Sequence, residues 1–283
     1  MTVLEAIQKS ADFLGKKGVE SSRLNAELLL AHLLKLPRMK LYLNFERALT
    51  TAETDGLREL VKRRGTREPL QHITGSTSFC GCEIAVTKHA LVPRPETEML
   101  TELAWSFLAT VKGQPPTALD FGTGTGCIAI ALAVKCPGAQ ITALDVSPEA
   151  LTLARQNAEL NKVQIEFLQG DGFAALPGKT AFDLIVSNPP YIASAEIGTL
   201  QPEVRDFDPR SALDGGADGL DFYRRLAREA AARLKPDGKI MVEFGDGQAE
   251  AIKTIFEGEK WIVETVQEDY SHRARILTAS LKR

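Results

Sequence analysis

LDFGTGTGCIAIALA, residues 119–133, reads in order as a strand, a glycine-rich turn and a helix. Gly122, Gly124 and Gly126 let the backbone turn tightly and come close to a ligand, with Thr123 and Thr125 between them. A dinucleotide fingerprint would place its third glycine at position 127, where this chain has Cys127. The G-x-G-x-G spacing therefore favours a nucleoside ligand without a pyrophosphate. Asp145 closes the next strand, where its carboxylate is placed to accept hydrogen bonds from both ribose hydroxyls, and Val146 follows it. Asp171, with Gly172 and Phe173, follows the third strand and is a candidate partner for an adenine amino group. A purely structural turn is the competing reading of the glycines.

Around this segment the chain alternates strand and helix. Strands are expected near residues 118–121, 140–145, 164–169, 183–187, 239–244, 261–266 and 276–281, with helices between them through residue 257. This alternation predicts an α/β unit with a mostly parallel sheet covered on both faces.

The fourth of these strands runs into DLIVSNPPYI, residues 183–192. Leu184, Ile185 and Val186 form a short apolar run suited to a strand buried on both faces, so Asn188 falls at its carboxyl end. Ligands of open α/β sheets bind at that edge. Pro189 and Pro190 lack N–H groups, so the local backbone offers carbonyl acceptors. Such a wall suits a planar –NH2 group. The Asn188 side-chain oxygen and the Pro189 carbonyl would each accept one of its hydrogens, and the Tyr191 ring would cover its face. A plain strand-ending turn and a Pro-rich docking ligand are the alternatives for these four residues. Residues 192–217, rich in Asp, Gly and Pro and without periodicity, are expected to form a functional lid or a mobile segment.

Upstream the periodicity is helical. Thr2 with Glu5 and Thr50 with Glu53 fit capping boxes. The first opens a helix with Leu4, Ile7, Ala11 and Leu14 on one face and Gly15 at its end; the second opens one that carries Leu57, Leu60 and Val61 into the basic run KRRG. Between them a helix from Ser22 sets Leu24, Leu28, Leu29 and Leu33 at helical spacing until Pro37. Residues 1–70 thus read as a small helical domain with no catalytic constellation, and recognition of a substrate or partner is its expected role. Residues 71–92, with Phe79, Ile84 and Val86 around Gly81, read as a β-hairpin linker, and residues 93–283 as the α/β domain. At the start of that domain, LVPRPETEML places Pro95 at a first helical position with Glu96 and Glu98 in the first turn, and holds Arg94 between two prolines.

Composition sets the outer limits. The 283 residues, 44% hydrophobic and 25% charged, suit an ordinary globular protein, and a net charge of −3 argues against non-specific nucleic-acid binding. Cys80, Cys82, Cys127 and Cys136 lack a metal-ligand spacing and are expected to be reduced thiols; no metal is expected. MTVLEAIQKS lacks a signal-peptide signature and no run of 18 apolar residues occurs, so a cytoplasmic protein without a membrane partner is expected.

GTGTG, Asp145 and NPPY together resemble class I S-adenosylmethionine-dependent methyltransferases that act on an exocyclic or amide nitrogen. PLQHITGSTSFCG, LVPRPETE and ALDGGADGLDFY narrow the resemblance to the HemK-type glutamine N5-methyltransferases of peptide chain release factors, over nearly the whole chain. The resemblance implies a Rossmann-like domain with a seven-stranded sheet, S-adenosyl-L-methionine as cofactor, and methyl transfer to the Gly-Gly-Gln glutamine of class 1 release factors. It implies that Asn188 and Pro189 hold the target amide with Tyr191 packed nearby, alongside Pro190. It further suggests that Arg94 and Glu96 meet the substrate, and that Asn188 borders the cofactor. A monomer without stable nucleic-acid binding is expected. NPPY is shared with DNA and RNA amino-methyltransferases, so a nucleic-acid enzyme is one rival reading; a non-catalytic nucleoside-binding module is another. Phe121 before the glycines, Phe207-Asp208-Pro209 and Gly245-Asp246-Gly247 depart from the family pattern.

Overall fold

The computed structural model describes residues 1–282 and divides into two compact units, residues 1–76 with 201–207, and residues 77–200 with 208–282. Among the described residues no helix is long and apolar enough to cross a membrane.

In the smaller unit, α1 (Val3–Lys16) and α4 (Thr51–Gly65) both open with the expected capping boxes, in which Thr2 and Thr50 accept from the third helical N–H and Glu5 and Glu53 reach back. The end of α1 lies beyond Gly15, and the left-handed turn is taken by Gly18 at φ +75°. Helix α2 (Ser22–Leu34) has the expected span and buries Leu29 as expected, with Leu33 packed against the same core, but its buried face is rotated from the expected one. Ala26, Leu29 and Leu30 are its core residues, whereas Leu24 is exposed. Leucine spacing misled here because the inward face also carries polar side chains, Asn25 and Glu27, each with a partner. Two short helices, α3 (Arg38–Tyr42) and α5 (Leu70–Thr74), were not expected; the latter occupies the start of the region read as β.

Part of the basic run is internal. Arg64 is 6% exposed and donates to Asn25 Oδ1 at 2.8 Å and to Glu203 Oε1 at 2.9 Å. Arg67 grips the same Glu203 through Nε at 2.6 Å and Nη2 at 2.5 Å. This pairing explains why residues 201–207 belong to the helical unit. Burial alone would raise the Glu203 pKa, but the two guanidiniums hold it below the usual carboxylate range.

The larger unit begins with a hairpin, β1 (Ser76–Phe79) and β2 (Cys82–Ala85), whose Phe79 and Ile84 are buried with α6 (Pro95–Leu108) and α7 (Cys127–Lys135). The sheet contains β3 (Thr117–Phe121), β4 (Gln140–Asp145), β5 (Glu166–Gln169), β6 (Phe182–Ser187), β7 (Leu234–Glu243), β8 (Trp261–Glu268) and β9 (Ala274–Leu281) in the order β5-β4-β3-β6-β7-β9-β8. The first five are parallel, while β9 is antiparallel to both neighbours. Alternate side chains serve opposite faces. Ala118, Leu184, Val186 and Met241 pack with α6, α7 and α8 (Pro148–Leu160), whereas Leu119, Ile185, Ile240 and Val242 pack with α10 (Asp221–Glu229) and α11 (Ala249–Gly258).

Strand order reverses between β3 and β6, which lie side by side with Asp120 opposite Val186. That reversal opens a crevice at the carboxyl ends of these two strands. The turns leaving them are GTGTG and NPPY. Residues 192–217 contain two short 3-10 turns and α9 (Pro202–Arg205), and the stretch is closed at its base by Ile192 N to Leu213 O, Gly215 N to Ile192 O and Ser194 N to Gly216 O, at 2.8–3.0 Å.

Candidate active site

The crevice is a cleft within the larger unit. It is lined by residues 121–125 of the glycine turn, by Asp145, Val146 and Ser147, by Asp171 and Gly172, by Asn188 and Pro190, and by Arg94 and Thr97. Residues 89–91, Pro209, Ser211, Ala212, Phe222 and Arg225 also contribute to the wall.

The cofactor half is built from backbone. Gly122, Gly124 and Gly126 all have positive φ, at +75°, +54° and +81°. Their reasons differ. A Cβ on Gly122 would meet nothing, so its bare backbone faces open space, whereas one on Gly126 would lie 3.0 Å from Ala154 Cβ. Gly126 therefore serves the packing of the turn and does not line the cleft. Asp145 is fixed by two backbone donors, Gly124 N to Oδ2 at 2.8 Å and Ser147 N to Oδ1 at 2.9 Å. Each oxygen retains acceptor capacity for a ribose hydroxyl. Val146 is 59% exposed at the same edge. The carboxylate of Asp171 is paired with Arg225, whose Nη2 also donates to the Asp171 carbonyl at 2.8 Å. An adenine amino group would have to share that carboxylate with the guanidinium. Phe173 is buried behind the wall, its ring 4.9 Å from that of Phe121, and is not itself in the lining.

Beneath the glycine turn lies Asp120, fully buried on β3 and not singled out by the motif reading. Its Oδ2 accepts from Thr123 Oγ1 at 2.6 Å and Ala129 N at 3.2 Å, tying the turn to the first residues of α7. Oδ1 has no partner. Burial pushes the pKa up to about 7 against these two hydrogen bonds.

The substrate half is built from side chains. Ser187 Oγ donates to Phe121 O at 2.7 Å and locks the end of β6 onto β3. Asn188, the next residue, lines the cleft and places Nδ2 3.0 Å from Thr97 Oγ1 on α6. Tyr191 is held by its backbone: Gln248 Nε2 donates to its carbonyl at 2.9 Å while Gln248 Oε1 accepts from Gly245 N at 2.9 Å. Its ring packs against the core cluster of β7 and α10, burial pushes its phenol up to about 12, and neither it nor Pro189 is in the cleft lining. The ring thus stands behind the wall, where a covering aromatic was expected. Arg94 lines the cleft but its Nη2 is 2.8 Å from Oδ2 of buried Asp208, so it holds the segment carrying Pro209, Ser211 and Ala212. Glu96 is exposed and outside the lining.

Glu243, at the end of β7, was also missed. It is 2% exposed, faces Thr97 and Asn188, and its Oε2 has no partner. Burial pushes its pKa up to about 7, with Glu96 adding to the rise and Thr97, Arg275 and Asn188 opposing it. A lone acid ending the apolar run IMVEF was the available signal.

Comparison with known proteins places this architecture. Residues 5–75 match the family described as PrmC N-terminal domain, and residues 101–201 that described as Methyltransferase small domain. A release factor glutamine methyltransferase of Geobacter sulfurreducens is 46% identical over 257 residues, 90% of this chain and 88% of its own. The protein of the same name in Chlorobaculum tepidum is 40% identical, over 98% of this chain and 96% of its own. Among solved structures, a ribosomal protein L11 methylase from Lactobacillus delbrueckii subsp. bulgaricus aligns with a TM-score of 0.51 at 25% identity, covering 69% of this chain and 82% of that one.

Proposed function

Because the chain belongs to the release factor glutamine methyltransferase family, we propose that its cleft transfers a methyl group from S-adenosyl-L-methionine to the side-chain amide nitrogen, N5, of the Gly-Gly-Gln glutamine in class 1 peptide chain release factors. The protein is an S-adenosylmethionine-dependent protein-glutamine methyltransferase and acts in support of translation termination. The observation that carries the site assignment is the position of Asn188, at the end of β6 and next to the glycine turn across the switch in strand order.

S-Adenosylmethionine, when bound, would supply a methyl group activated by a positively charged sulfur and would leave as the neutral thioether S-adenosyl-L-homocysteine. The chain supplies its cradle: the open Gly122 backbone, the preoriented Asp145 carboxylate for the ribose hydroxyls, and exposed Val146 as an apolar edge for the base. Asp171, Gly172 and Phe173 form the far wall or its support.

An amide nitrogen is a poor nucleophile because its lone pair is delocalised into the carbonyl. Asn188, which lines the cleft, accepts one of its hydrogens through Oδ1, which increases electron density at nitrogen and aims it; Pro189, buried outside the lining, supports the turn that carries Asn188. Pro190 keeps that segment extended and free of competing donors. Alignment of two bound reactants is the larger effect, on the order of 7–11 kcal/mol. No residue is assigned as a general base, since the methylated nitrogen becomes acidic enough to give its proton to water.

The helical unit recognises the release factor. Met39, Tyr42 and Leu43, exposed on and after α3 among Lys35, Arg38 and Lys40, support that role. Arg94 contributes by holding the 208–212 segment, and Glu96 lies at the surface beside it in sequence. We infer a cytoplasmic monomer with no stable membrane or nucleic-acid partner; the acidic net charge of −3 supports the last of these.

Labelled S-adenosylmethionine, offered with a release factor, the same factor with its loop Gln changed to Ala, and unmodified DNA and RNA, tests the assignment. Label on the intact factor alone is expected. Label on nucleic acid and none on protein would overturn the substrate while leaving the cofactor.

A further inference from the structure

Asn188 meets its substrate with an amide whose two ends differ in chemistry and hardly at all in shape. The target N–H needs an acceptor, so the residue works only with its oxygen toward the cleft. Asn188 Nδ2 lies 3.0 Å from Thr97 Oγ1. A hydroxyl by itself does not set the orientation, because it donates as readily as it accepts. The deciding group is Glu243, buried behind both residues with an unpartnered carboxylate oxygen. Above about pH 7, where it is ionised, this carboxylate only accepts, and Thr97 and Asn188 both face it. Each must therefore present hydrogens to it, the hydroxyl from Thr97 and the NH2 from Asn188. With its hydrogen directed to Glu243, Thr97 Oγ1 has only lone pairs left for Asn188. Both conditions turn Nδ2 inward and Oδ1 toward the cleft.

We propose that Thr97 and Glu243 are positioning residues for methyl transfer, a buried relay from α6 and the end of β7 that selects the working orientation of the Asn188 amide. The relay also polarises that amide, since donation from nitrogen leaves its oxygen a stronger acceptor. Neither residue touches the target; each acts through Asn188. This assignment rests on the glutamine methylation proposed above.

The test compares Thr97→Val, Thr97→Ser and Glu243→Gln in the full chain. It measures kcat and KM for an unmethylated release factor, S-adenosylmethionine affinity, thermal unfolding, and hydrogen exchange of the Asn188 side-chain NH2 by NMR. Valine keeps the shape of threonine and removes the hydroxyl, and serine does the reverse. Thr97→Val is expected to lower kcat about 10²-fold with KM and cofactor affinity within about twofold, because a misplaced reacting group costs about that much while docking is unaffected. Thr97→Ser is expected to recover most of the loss, and Glu243→Gln, whose amide donates as well as accepts, to fall between. Wild-type turnover in Thr97→Val, or equal impairment in the folded Val and Ser variants, would overturn the relay. Slow exchange of the Asn188 NH2 in the wild type, lost in Thr97→Val, is the second expected result; free exchange in the wild type contradicts the relay whatever the turnover. A wild-type protein that leaves the release factor unmodified would remove the proposed substrate, and the exchange measurement would still decide the orientation of Asn188.

Discussion

Asp120 and Glu243 are both buried carboxylates, each with one oxygen unpartnered and each pushed up to about 7 by burial, yet they support the two halves of the cleft by different means. The partners of Asp120, Thr123 and Ala129, come from the same strand–turn–helix segment, so the cofactor half is a local construction. Those facing Glu243, Thr97 and Asn188, come from α6 and from the turn after β6, so the substrate half exists only once distant segments have packed. A local prop keeps a backbone cradle in shape, whereas a distributed one sets the direction of a single side chain. Loss of the first is expected to damage binding, and loss of the second turnover.

The sharpest way to break this division is Asn188→Ala. It is expected to lower kcat by about 10²–10³-fold, the range for removing one preorganised hydrogen-bonding group, while S-adenosylmethionine affinity stays unchanged. Equal loss of cofactor affinity would merge the two halves.

The next effect is in stability against pH. The folded pKa of each buried acid lies above its unfolded value, so the native state holds the proton more tightly. The associated stability is complete below the unfolded pKa and is lost as pH rises to about 7. Replacing Asp120 by Asn or Glu243 by Gln removes that fall, so each variant should gain relative to wild type by about 3 kcal/mol between pH 4 and 7. Denaturant melts at several pH values measure this. For Glu243 the charged and titratable neighbours are Glu96 on α6, Arg275 on β9, and Tyr191 and Tyr223, and the slope should persist when Glu96 is changed to Gln. Parallel wild-type and variant profiles would mean that these carboxylates titrate normally.

Asp145→Ala removes the ribose acceptor and is expected to weaken S-adenosylmethionine by about 10–100-fold, the worth of one or two hydrogen bonds to a charged group, seen by calorimetry. Since Asp145 also bonds Gly124 N and Ser147 N, Asp145→Asn should lose less.

Glu203 supplies the smallest effect and the opposite sign. Its folded pKa is depressed, so its contribution is present above the unfolded value and is lost as pH falls through the folded one. Glu203→Gln should cost about 1 kcal/mol at neutral pH, because the paired groups retain partial solvent access, and nothing in acid. Melts at both pH values distinguish this from a pH-independent packing defect.

The same contrast explains what was legible in the sequence. Asp145 and the glycine turn could be read because strand, turn and helix are contiguous and backbone conformation limits the residue choice. Asn188 could be read because two prolines mark the end of a buried strand. The capping boxes at Thr2 and Thr50 were legible for the same reason, each being complete within four residues. Thr97 was hidden inside a good helix start, where PETE is explained by the helix alone. Glu243 and Asp120 were hidden because an acid in an apolar strand acquires meaning only from what packs against it. The buried face of α2 was misread since Asn25 and Glu27 point inward to partners that spacing cannot supply. Glu203 and Arg64 are 139 positions apart, so neither the capture of residues 201–207 by the helical unit nor the burial of one arginine from a basic run had a local signal.

The most direct measurement is tandem mass spectrometry of the Gly-Gly-Gln peptide from a release factor incubated with S-adenosylmethionine and either the wild type or Asn188→Ala. The expected result is one methyl group on the glutamine side-chain nitrogen with the wild type and almost none with the variant. An unmodified glutamine with the wild type, or equal methylation by both proteins, would contradict the assignment of Asn188 as the residue that holds the target amide.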